Sequence, residues 1–192
     1  MHRIKLMKKF FKKKTGNLDV EVTDIINADI ENAIFRAKSL LLEDEMSEPL
    51  VLRGPNFEND KLKYRLHHDR DNNVFEVNYS DSLLSILFLG KDRLFYYQTE
   101  IDHVTGKFHL EETGNIKYED VLNIEVKIDN AISNKNMPLH SEVNLQLRLK
   151  NNSLLEFNLR NHYSFNEEAY PAVLTEDEAY IVKTIKNAIR TI

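Results

Sequence analysis

Between Leu83 and Val126 the chain spells out a sheet. Leu83 to Leu89 is a near-continuous apolar run, and Gly90-Lys91-Asp92 turns it into Leu94 to Ile101. A wide connection follows, and Ile124, Val126 and Ile128 then alternate with polar residues. A run that apolar must be covered, so the rest of the chain is expected to pair with this stretch or close over it.

Period-two patterning extends in both directions from it. PLVLR, ending at Arg53, is a short apolar strand candidate broken by Gly54-Pro55-Asn56. Leu62, Tyr64 and Leu66 alternate, the cluster Asp69 to Asn73 makes a turn, and Val74 to Tyr79 alternates again, which predicts a hairpin. Val143, Leu145, Leu147 and Leu149 lead to Asn151-Asn152, a turn that tolerates positive φ, and then to Leu155, Phe157 and Leu159. The strands expected are 62–67, 74–79, 83–89, 93–101, 116–128, 142–150 and 154–160. A helix over 175–191 follows. Thr175 and Glu178 form a capping-box pair at its start, and Ile181, Val182, Ile185, Ala188, Ile189 and Ile192 form its apolar stripe.

The first part of the chain has a different period. Ile26, Ile30, Ala33, Ile34, Ala37 and Leu41 step along one face of a helix predicted over Thr23 to Asp44. Thr23 or Asp24 would cap it, and Ser47-Glu48-Pro49 would stop it. Such a stripe must dock on the later domain or on a second copy, so residues 24–44 are a candidate homo-oligomer surface. Ahead of it lies a basic arm. Residues 1–14 hold seven Lys or Arg and no acid, which leaves the remainder of the chain at a net charge of −12. Ile4, Met7 and Phe11 sit at helical spacing with Leu6 and Phe10 beside them, so the arm can form a short basic amphipathic helix ended by Thr15-Gly16-Asn17. The division expected is 1–46 for arm and helix and 47–192 for the strand-rich domain with its terminal helix.

Four quoted pieces carry a resemblance: LFLGKDRLFYYQ, GNIKYEDVLNIEV, LQLRLKNNSLLEFNLR and TEDEAYIVKTIKNAIR. Their order resembles the pleckstrin-homology-like (PH-like) layout, in particular the bacterial PH and GRAM-like families. The YYQxxxDHxTG wording is similar to a group of uncharacterised Gram-positive bacterial proteins. The resemblance implies an α+β, mainly β fold, a seven-stranded antiparallel PH-like barrel capped by a C-terminal helix. It also implies a binding function rather than catalysis. In lipid-binding PH domains basic residues crowd the first hairpin turn; here that turn reads HHDRDNN, so phosphoinositide binding is not carried over.

Catalytic and cofactor motifs are lacking. With no cysteine there is no disulfide, thiolate ligand or thiol nucleophile. Five glycines form no phosphate-cradling loop, so no cofactor is expected. His67, His68, His103, His109, His140 and His162 form no metal-ligand motif, adjacent His67 and His68 point to opposite faces of a strand, and surface or turn positions are expected for all six. Asp102-His103 with a distant serine would suggest a hydrolase, but there is no nucleophile elbow and Asp102 to Gly106 fits turn chemistry. Alternation places Phe95 and Tyr97 on one face and Tyr96 on the other, which favours core packing over base stacking. The acidic body disfavours nucleic acid as a partner.

The functional pull is in the arm. Lys5, Lys8, Lys9, Phe10, Phe11, Lys12, Lys13 and Lys14 are the candidate membrane-binding residues, facing anionic lipid or an acidic protein partner. The bland alternatives are a solubilising tail and a helix packed back on the acidic body. The loop Asn130 to Ser141 is a second candidate contact. No signal peptide and no spanning segment is evident, so a cytoplasmic protein, peripheral to the inner face of the membrane, is expected. The reading is a non-enzymatic interaction module. Its alternative is an enzyme, or an enzyme subunit, with a site between the N-terminal helix and the barrel.

Overall fold

A computed structural model of the chain describes residues 2–43, 45–57, 59–69, 74–131, 139–164 and 173–190, and the architecture is that of these residues. Two helices come first, α1 (His2–Phe10) and α2 (Val20–Leu41). Nine strands follow: β1 (Leu50–Pro55), β2 (Tyr64–Asp69), β3 (Val74–Tyr79), β4 (Asp81–Leu89), β5 (Arg93–Asp102), β6 (Lys107–Lys117), β7 (Val121–Ala131), β8 (Leu139–Leu149) and β9 (Leu154–Ser164). A 3-10 turn (Tyr118–Asp120) separates β6 from β7, and α3 (Glu176–Arg190) ends the described chain. The class is α+β with antiparallel sheets, as the sequence patterning indicates.

The arrangement of the strands differs from a closed seven-stranded barrel. There are three open sheets: β1-β4-β5-β6, β2-β3 and β7-β8-β9. PLVLR is integral, since Leu50 pairs with Leu87 and Pro55 with Ser82. The β2–β3 hairpin is an excursion between β1 and β4 rather than the start of the main sheet. The strand expected over 116–128 is two strands broken at Tyr118–Asp120. The unanticipated strand is β6, whose residues are mostly exposed and polar because it forms the sheet edge and packs little of its surface.

The apolar density of β4 and β5 follows from burial on both faces. Leu84, Ile86, Phe88, Phe95, Tyr97 and Ile101 meet Ala33 and Ala37 of α2, two small residues that let the helix lie close to the sheet. Leu87, Leu94 and Leu52 point the other way, into a second core with Val143, Leu145, Leu147, Phe157 and Leu159. Val182 and Ile185 of α3 complete that core, so the terminal helix does close over the sheets. Each fully buried Leu or Ile contributes about 1.5–3 kcal/mol relative to exposure. Tyr96 lies on the face opposite Phe95 and Tyr97, where its ring packs edge-on against Phe157.

The capping box forms: the Glu178 amide donates to Thr175 Oγ1, and the Thr175 amide donates to Glu178 Oε2. Asn152 takes positive φ in the β8–β9 turn. The start of α2, however, is capped by Asp19, whose carboxylate accepts from the Val22 amide, not by Thr23 or Asp24. It ends at Leu42 in the left-handed region, ahead of Ser47-Glu48-Pro49. Within the stripe of α2, Ala33 and Ala37 are buried against the sheet and Ile26 is buried against α1. Residues 132–138 of the loop considered as a contact, and the cluster 70–73, lie outside the described residues.

Candidate functional site

The arm folds as α1 and lies against α2. Met7, Phe10 and Phe11 are buried with Val22 and Ile26, and Leu6, Ile25, Ile30 and Val104 pack around them. A 3.6-residue repeat with one apolar side dictates this placement: the greasy face turns inward and the lysines turn out. Lys5, Lys8, Lys9, Lys12, Lys13 and Lys14 are exposed, the last lying 5.8 Å from the Tyr64 ring. Phe10 and Phe11, at 4 % exposure each, are core residues, which corrects their assignment as membrane contacts. Their apolar surface is already used by the fold.

Both ends of the arm are fastened. At the far end, Lys14 to Gly16 runs beside β2, with the Leu66 amide donating to Lys14 O and the Gly16 amide donating to Leu66 O. Arg65 caps α1 by donating to Phe10 O, and its guanidinium stacks 4.4 Å over the Phe10 ring. A cation at a helix C-terminus also complements the helix dipole. At the near end, Arg3 donates to the His103 carbonyl at 2.7 and 3.1 Å and to Asp29 Oδ2 at 2.5 Å.

Arg3 leads into a buried polar relay between the helices and the sheet. His103 Nδ1 lies 2.7 Å from Asp29 Oδ2, and His103 Nε2 lies 3.0 Å from Ser82 Oγ. Ser82 Oγ also accepts from Arg53 Nε at 3.2 Å. Asp29, Ser82 and His103 are 2 %, 1 % and 0 % exposed. The turn after β5 delivers the histidine: Asp102 accepts from the Val104 and Thr105 amides, and Gly106 closes the turn at φ +74, against Arg3. The turn chemistry read from the sequence is therefore correct, and of the surface or turn positions expected His103 takes the turn, with its ring buried.

Protonation follows from the donor count. The ionised Asp29 carboxylate can only accept, so the imidazole carries its proton on Nδ1, and Nε2 is left to accept from the Ser82 hydroxyl, whose oxygen accepts from Arg53. His103 is thus the neutral Nδ1–H tautomer donating to Asp29. Burial is the main influence on the imidazole and pushes its pKa below the usual value, with the Asp29 hydrogen bond opposing. Burial alone would raise the Asp29 carboxyl, but hydrogen bonds from His103 and Arg3 outweigh it and hold the pKa down. Although His103 and Asp29 are close enough to be an ion pair, the neutral imidazole is favoured because burial penalises its charged form, with the Arg53 and Arg3 cations adding to the effect.

Asp, His and Ser in this order resemble a nucleophile relay. Here Ser82 is sealed from solvent and engaged by Arg53, so the arrangement ties together five segments: α1, α2, β1, β4 and the β5–β6 turn. A second tie joins α2 to β6, where Arg36 donates twice to Glu111, which also accepts from the Tyr97 hydroxyl. Among the described residues no group of three or more His, Asp or Glu side chains could hold a metal ion. No helix among them is long and apolar enough to cross a membrane.

Sequence reasoning missed Asp29, Ser82 and Arg53. One signal was present for Asp29, an acid on the same helical face as Val22, Ile26, Ala33 and Ala37. No local signal existed for its partners: His103 is 74 residues from Asp29, and Ser82 lies 21 residues before His103. No family model, curated protein or solved structure matches the chain.

Proposed function

We propose that the chain is a non-enzymatic PH-like interaction module that docks on an anionic membrane surface through the lysines of α1 and of the turn that follows it. The observation that carries this reading is the orientation of the arm. Its apolar side is buried, its ends are fastened, and Lys5, Lys8, Lys9, Lys12 and Lys13 form a fixed cationic face on an otherwise acidic protein. A sheet of four strands, a sheet of three and a terminal helix, in that order along the chain, support the PH-like part once the β2–β3 hairpin is treated as an insertion. Adsorption is electrostatic, on the order of 1 kcal/mol per lysine near the surface, without insertion of Phe10 or Phe11.

Sedimentation with phosphatidylserine-containing and neutral vesicles tests this. Binding to the anionic vesicles should fall with added salt and be lost when the five lysines are changed to Gln. Equal sedimentation with both vesicle types refutes the membrane surface and leaves an acidic protein as the partner to be sought.

The enzyme reading has one observation in its favour, the alignment of Asp29, His103 and Ser82 between helix and sheet. Ser82 is sealed, so a fluorophosphonate probe should leave it unlabelled. Stoichiometric labelling of Ser82 would replace the module reading with a hydrolase.

A further inference from the structure

Arg53 holds a charge that no ion pair among the described residues balances. Its Nε donates to Ser82, while its two terminal nitrogens meet no acceptor among the described residues and are not among the sealed, unpaired atoms, so they keep solvent contact. The neighbouring charges are already matched: Arg3 with Asp29, and Arg160 with Glu178 through two hydrogen bonds. His103 is neutral. Arginine does not shed its proton in proteins, so the surplus cation persists. Burial works against it and pulls its pKa below the ordinary value, with Tyr79 and Asp29 opposing.

Arg53 is also a wall of a cavity of about 380 Å³ at the junction of β1, β3, β9 and α3. Arg160, Glu178 and Tyr79 supply further polar wall, and Pro55, Val77 and Leu159 supply apolar wall. This volume lies in the range of small-molecule sites, which run from roughly 300 to 1,000 Å³. The relay gives the guanidinium a fixed position, since Ser82 is oriented by His103, His103 by Asp29, and Asp29 by Arg3. A donor positioned before the ligand arrives loses less freedom on binding.

We propose that this cavity binds a small organic monoanion, a carboxylate with a short apolar body, gripped by the Arg53 guanidinium and seated against Pro55, Val77 and Leu159. A carboxylate can accept two parallel hydrogen bonds from a guanidinium. The Glu178 carboxylate shares the cavity wall and disfavours a second negative charge, which selects a monoanion over a phosphate monoester. The site is separate from the lysine face and does not depend on membrane docking.

The test is a titration of the isotope-labelled full chain followed by NMR, using butyrate as the probe, butanol as the body without the charge, and inorganic phosphate as the charge without the body. Butyrate should move the amide signals of Arg53, Gly54, Val77, Tyr79 and Arg160, and bind more tightly than either control. Arg53→Gln should weaken butyrate by about tenfold or more, the loss of one charge-assisted pair. Val77→Trp, which fills the cavity while keeping the Arg53 charge, should have the same effect and decides the matter if Arg53→Gln fails to fold. The proposal is overturned if butyrate leaves those signals unmoved, if butanol or phosphate matches it, or if Val77→Trp binds as the parent does.

Discussion

Replacing Asp29 by Ala should be the most damaging single change outside the apolar cores. The carboxylate accepts from Arg3 at 2.5 Å and from His103 at 2.7 Å, and is 2 % exposed. A hydrogen bond involving a charged group contributes about 1.5–3 kcal/mol net, so two give about 3–6 kcal/mol. Removing the carboxylate also removes its own desolvation cost, which brings the expected loss to about 3–4 kcal/mol, near the bottom of the range for breaking a buried pair. That is a large part of a typical total stability of about 5–15 kcal/mol. In a urea titration with a slope of about 2–3 kcal/mol/M, the midpoint should fall by about 1.5 M. The double variant with Arg3→Ala should cost less than the two single changes added together, because the pair shares one interaction. A shift below about 0.3 M in Asp29→Ala, or strict additivity in the double variant, would show that the relay does not hold the helices to the sheet.

Three further outcomes are expected. Acid should weaken the fold in two stages with the same sign: His103 has a folded pKa below its unfolded value, so its contribution is intact above about pH 6.5 and declines as pH falls below that. Asp29 is also lower when folded, so its contribution is present above its unfolded value and is lost as pH drops through the folded one. Urea midpoints measured from pH 8 downwards check this, and a His103→Phe variant should lack the first decline; an identical profile would contradict the neutral imidazole. Val182→Asp or Ile185→Asp places a carboxylate in the core beneath α3 and should unfold or aggregate the protein, whereas an unchanged melting temperature would mean that α3 does not dock there. Leu42→Gly should stabilise, since Leu42 ends α2 at φ +55 with 84 % exposure; relief of about 1 kcal/mol corresponds to a melting temperature about 2–4 °C higher.

What the sequence revealed depends on the range of the interaction that forms each feature. Strands β2, β3, β4, β5, β8 and β9 announce themselves because side-chain alternation is local and one face or both must be covered. The Thr175–Glu178 box was legible because its two residues are three apart. Strand β6 was hidden because at the sheet edge its side chains face water, so its sequence carries no period for a core to impose. The end of α2 was misplaced because Leu42 takes the left-handed conformation that glycine normally marks. The relay was illegible for a different reason: His103 and Asp102 are adjacent and look alike as turn residues, yet one faces out to hold the loop and the other faces in to meet a helix 74 residues earlier. Arg53 read only as the end of an apolar run.

The fastening of α1 has a consequence for how its lysines act at a distance. A floppy polycation conforms to whatever negative charge it meets and gives up freedom in doing so. With Arg3 and Lys14 to Gly16 pinned, the ordering cost of the backbone is met during folding, and the Cα positions that carry the ammonium groups keep set separations. Under the docking proposed above, such a face would act as a template, rewarding surfaces whose negative charges match its spacing more than those that are merely crowded.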